Sequence, residues 1–152
     1  MLASEFDDII RPLGASFKGK YWPVHESQIA EVEATVGWKL PTDYRTFLLE
    51  IGLAGIKGGS RFLFAADPSR RLQISALYGH HPEDYSLLAG AAAFLEPEPY
   101  LSIAIGDTGL FLMNRNGEVL YKRNFENEAE VIVDSFSQFM ASIRPRSEWD
   151  NE

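Results

Sequence analysis

The chain has 152 residues, 45% of them apolar and 24% charged, with no cysteine and a formal net charge of −8. That length suits one domain, 1–152, that buries a core without staples, and the missing cysteine excludes disulfides, thiolate nucleophiles and cysteine-ligated zinc together. No apolar run reaches the ~18 residues of a membrane helix, and Met1 to Asp8 carry acids where a signal peptide requires a basic region, so a cytoplasmic location is expected.

In chain order, Phe6, Ile9, Ile10 and Leu13 have helical spacing until Pro12 and Gly14 interrupt them. Trp22-Pro23 reads as extended chain, because the residue before a proline is pushed out of the α region. Ser27 has the character of an N-cap, Ile29, Val32 and Val36 repeat on one face, and Gly37 supplies a stop. A second helix enters at Leu40-Pro41, favoured by Asp43 near its positive end; Tyr44, Phe47, Leu48 and Ile51 form its apolar stripe before Gly52. Phe62 to Phe64 and Leu72 to Tyr78 read as strands around the turn Asp67-Pro68-Ser69. Glu83 to Phe94 predicts a helix ended by Pro97 and Pro99, and Leu101 to Ile105 and Leu110 to Met113 predict strands. Asn116-Gly117, before Val119-Leu120-Tyr121, predicts a type I′ hairpin turn. Ile132, Phe136, Phe139, Met140 and Ile143 share one face of a final helix before Pro145. Helices around an antiparallel meander give an α+β domain.

Few residues point to chemistry. His80-His81 stand beside Glu83 and Asp84, but their spacing matches no zinc signature and a solvated loop accounts for them. Lys57-Gly58-Gly59-Ser60 has the composition of a phosphate loop without its order, and reads as a flexible connector between helix and strand. Ser60 has neither a nucleophile-elbow sequence nor a histidine in context. Carboxylates pair at Asp7-Asp8, Glu83-Asp84 and Glu96 with Glu98, and run through Glu126, Glu128 and Glu130; loop acids of this kind are solvated rather than opposed across a cleft. No catalytic residue, cofactor or metal is therefore expected.

The segment Ile29-x3-Glu33-x2-Val36-Gly37-x2-Leu40-Pro41-x2-Tyr44-x2-Phe47-Leu48 resembles the opening motif of the SUKH superfamily, which includes bacterial toxin-immunity proteins and yeast cell-wall regulators. Leu77-Tyr78-Gly79, Ile103-Ala104-Ile105-Gly106-Asp107, the strands around Asn116-Gly117 and Ser135-Phe136-x2-Phe139 are similar to later parts of the family, so the resemblance spans Ile29 to Ile143 within a motif-bearing part of about 25–145. It implies an α+β fold with a mixed, mainly antiparallel sheet flanked by about four helices. It also implies protein recognition: an immunity protein that binds a toxin domain, or an adaptor of the same fold. Spacing makes the motif residues Ile29, Glu33, Gly37, Leu40, Pro41, Tyr44, Phe47 and Leu48 architecture rather than site.

A charge of −8 repels nucleic acid and draws in basic proteins, although an acidic exterior also serves solubility alone. The expected partner is a basic toxin domain, with neither nucleic acid nor membrane contacted directly. Its expected contact residues are acids around exposed aromatics: Trp22, Glu83, Asp84, Tyr85, Glu96, Glu98, Tyr100 and Asp107.

Overall fold

A computed structural model describes residues 8, 23–52, 54–63, 71–77, 100–106 and 108–145. Within them lie helices α1 (Glu26–Val36), α2 (Thr42–Glu50) and α3 (Phe136–Ala141). Seven strands accompany them: β1 (Ala54–Leu63), β2 (Arg71–Leu77), β3 (Leu101–Ile105), β4 (Gly109–Met113), β5 (Val119–Arg123), β6 (Glu130–Val133) and β7 (Ile143–Pro145). The class is α+β, as expected. Asp8 is helical, while the rest of the first expected helix and the whole 83–94 helix fall outside the described residues, which hold three helices rather than four.

The strands form one sheet in the order β6-β5-β4-β3-β2-β1-β7. Every described ladder is antiparallel, in keeping with the expectation of a mainly antiparallel sheet. The described connections from β4 to β5 and from β5 to β6 are short, which favours antiparallel pairing. β7 alone leaves sequence order, returning after α3 to pair Ile143 with Phe62 of β1.

α1 starts one residue before Ser27: His25 is the N-cap, and its backbone N–H donates to Gln28 Oε1 at 2.8 Å. Gly37 ends the helix at φ 81°, a left-handed conformation in which its N–H reaches Glu33 O. Pro41 caps α2, whose Tyr44, Phe47 and Leu48 are buried, and Gly52 closes it with its N–H on Phe47 O. The glycine-rich stretch from Ala54 is strand rather than connector. It pairs with β2 from Ala54↔Leu77 to Leu63↔Arg71, with a register shift between Gly55 and Ser60. The stretch continues as strand to Leu63 instead of opening a helix, which rules out a phosphate loop there. The expected turn at Asp67-Pro68-Ser69 lies outside the described residues.

The β4–β5 hairpin is confirmed but its turn differs. Gly117 N–H donates to Asn114 O at 3.0 Å and Asn114 N–H to Glu118 O at 3.2 Å. Of the turn residues only Gly117 has positive φ, 79°. The turn is thus centred on Arg115-Asn116 with Gly117 in the bulge position, the pattern of a type I turn extended by one left-handed residue. Buried Asn114 completes it: its Oδ1 accepts from the N–H groups of Asn116 and Glu118, and its Nδ2 donates to Glu118 Oε1.

The last helix is shorter than its apolar periodicity indicates. Ile132 belongs to β6 and Ile143 to β7, so α3 retains Phe136, Phe139 and Met140 as its buried face. β-branched Val131-Ile132-Val133 favours strand, and Ser135 begins the helix by accepting the Gln138 N–H.

These helices cover one face of the sheet. Phe111 stacks obliquely on Tyr121 at 5.1 Å and on Phe139 at 5.2 Å, and Phe136 lies 4.7 Å from Tyr44 and 5.1 Å from Phe47. Ile74, Leu101, Met113 and Val119 complete this core. The opposite face is buried too at Ser102, Leu112 and Leu120, which adjoin one another in the ladders.

Candidate protein-binding surface

Five of the eight motif residues are buried, and the other three, Glu33, Gly37 and Pro41, lie at the turn between α1 and α2. Ile29, Leu40, Tyr44, Phe47 and Leu48 are buried in one core. Glu33 accepts the Leu40 N–H at 2.8 Å, which fixes the turn between α1 and α2. Its other oxygen is 3.8 Å from Lys39 Nζ. Arg45 bonds Glu26 and so joins the two helices. Asp43 reaches further: its Oδ1 accepts the Tyr44 N–H, while its Oδ2 accepts both the N–H and the hydroxyl of Ser137 at 2.9 Å, tying α2 to α3. Pro41 abuts the β4–β5 turn, where a Cβ on Gly117 would come within 3.0 Å of its Cγ.

Tyr44 is fully buried, and its hydroxyl has no hydrogen-bond partner among the described residues. Burial pushes its phenol well above the ordinary tyrosine value, so it stays neutral and cannot serve as a base. No group of three or more histidines and acids suited to a metal ion occurs among the described residues.

Of the eight expected contact residues, only Tyr100 is described, and it is half-buried rather than exposed. Trp22, Glu83, Asp84, Tyr85, Glu96, Glu98 and Asp107 fall outside the described residues, as do His80 and His81. The arrangement sought there, acids around an exposed aromatic, occurs instead between β5 and β6. Phe125 is fully exposed, and Glu126, Glu128 and Glu130 follow it with exposed side chains. Behind them, Tyr121, Arg123, Glu126, Glu128, Ala129 and Glu130 line a hollow of about 310 Å³.

Local structure explains why this loop stands out from the sheet. The Glu126 N–H donates to Arg123 O at 3.2 Å, closing a turn over Asn124-Phe125. The Asn124 N–H donates to Thr108 O at 2.9 Å, anchoring that turn to the segment before β4. Phe125 takes φ 69°, in the second central position of the turn, where glycine or asparagine is usual. The acids were visible in the sequence. Phe125 was not singled out, and its one signal was an aromatic residue in a run otherwise polar from Lys122 to Glu128.

A second hollow, of about 440 Å³, lies over α1 and its following turn, lined by Ala30, Glu33, Ala34, Gly37, Trp38 and Lys39. Neither hollow joins a nucleophile to a histidine base among its lining residues.

Comparison with known proteins gives a family match. The model of the SMI1 / KNR4 family (SUKH-1) matches residues 23–142. No curated protein matches the chain. The matched stretch takes in all three helices and the six strands β1 to β6. With most of its length matched and the motif seated in its core, the chain belongs to the SMI1 / KNR4 family (SUKH-1).

Proposed function

We propose that this chain is a cytoplasmic immunity protein that neutralises a cognate toxin domain by stoichiometric binding, without turnover, metal or cofactor. The observation that carries the reading is family membership over residues 23–142, in a family that includes toxin-immunity proteins and KNR4-like regulators. Members of that family are in general non-enzymatic. The charge of −8 supports a basic target, and a nuclease toxin presents a basic cleft that an acidic inhibitor complements. An adaptor role is the second reading, favoured by the regulators in the same family.

The test is co-expression with toxin domains encoded beside this chain. Rescue of growth, with a 1:1 complex on purification, is the expected result. Association of that complex should slow steeply as salt is added. Failure to rescue from every neighbouring toxin would move the assignment to an adaptor.

A further inference from the structure

We infer that the β5–β6 turn is the docking tip of this protein: Phe125 enters an apolar pocket on a basic toxin domain, and Glu126, Glu128 and Glu130 face the cations around that pocket. The inference rests on the immunity reading and adds a location to it. Scattered surface apolar residues are ordinary, so exposure alone would say little. Phe125 differs in its setting. Its ring is fully exposed at 104%, yet its backbone occupies φ 69°, which costs a side-chain-bearing residue about 1–2 kcal/mol relative to glycine. Among the described residues nothing repays that arrangement by burying the ring.

The turn is also held in place from both sides, by Glu126 N–H on Arg123 O and Asn124 N–H on Thr108 O. A ring presented on a fixed turn loses little entropy when it is captured. The surface continues into β6, the outermost described strand on this side, where Val131 is 48% exposed. Charge selects the occupant. The segment from Glu126 to Glu130 carries three exposed acids and no base, and Arg123 of β5 is the one base lining the hollow behind them, so the acids are in excess there. A second acidic copy of this chain would be repelled, whereas a basic protein surface gains steering and register.

The experiment uses the neighbouring toxin domain that the wild-type chain neutralises, with affinity and association rate measured alongside melting temperature. Phe125→Gly relaxes the backbone, so it should melt at or above the wild-type temperature. It should nevertheless bind roughly 30-fold or more weakly, as expected for an anchor residue. Phe125→Asn, which also tolerates positive φ, should behave alike. The triple change Glu126→Gln, Glu128→Gln, Glu130→Gln should slow association and flatten its salt dependence, while Glu31→Gln with Glu50→Gln, exposed acids on α1 and α2, should leave both unchanged. Full affinity in Phe125→Gly would overturn the docking tip while leaving the immunity reading intact. Equal slowing by the helix pair would overturn it in favour of diffuse charge. A wild-type chain that neutralises no neighbouring toxin would overturn both.

Discussion

Gly37 and Gly117 offer a matched pair of substitutions for testing how the motif turn is seated. Both glycines have positive φ, 81° and 79°. A Cβ at Gly37 would meet nothing within 4 Å, whereas one at Gly117 would lie 3.0 Å from Pro41 Cγ and 3.6 Å from Pro41 Cβ. Gly37→Ala therefore isolates backbone strain, about 1–2 kcal/mol. Gly117→Ala adds a carbon–carbon contact inside the optimum of about 3.5–4.0 Å, and overpacking of this kind costs about 1–3 kcal/mol more. Urea unfolding should separate the two variants by at least about 1 kcal/mol at unchanged m-value, which is about 2–4 °C in melting temperature for a domain this size. Pro41→Ala removes the Cγ, so in the Gly117→Ala background it should recover about 1 kcal/mol of coupling energy. Equal destabilisation by the two glycine variants, with no coupling to Pro41, would refute the contact between hairpin tip and motif.

Other outcomes follow from the same core. Phe47→Ala, at a side chain 1% exposed and in ring contact with Phe136, should cost about 3–5 kcal/mol in urea unfolding; an unchanged curve would contradict its place in the core. Tyr44→Phe should be neutral or stabilising by about 1 kcal/mol at pH 7, because the buried hydroxyl it removes has no partner among the described residues. The folded state keeps the Tyr44 phenol protonated while the unfolded chain releases that proton near pH 10, so wild-type stability should be level below about pH 9 and fall above 10 by up to about 1.4 kcal/mol per pH unit. That alkaline slope should be smaller in Tyr44→Phe, and an identical slope would remove Tyr44 as its source.

The parts of the fold set by local rules could be read from the residues themselves. Ile29, Val32 and Val36 followed by Gly37, and Tyr44, Phe47 and Leu48 before Gly52, give helices with their stops, because period and left-handed glycine act within a few residues. Elements settled by distant pairing could not be read this way. The stripe from Ile132 to Ile143 does face the core, but β5 claims one end as strand and β1 claims the other. Gly55 to Ser60 reads as a connector until β2 is placed beside it. The acidic loop was visible as charge. The exposure of Phe125 was not, because it depends on a turn that puts a phenylalanine where local preference puts glycine.

The position of β7 bears on how the protein is made. β1 sits between β2 and β7, so the outer side of Phe62 gains its ladder partner only when Ile143 has been synthesised. While the nascent chain is still emerging from the ribosome, this edge is unpaired, and pairing across so long a loop is slow and prone to association with other strands. A gene fragment stopping at Ser142 would leave that edge permanently open. Such a fragment should aggregate although it contains every described helix and all of the core cluster except Ile143.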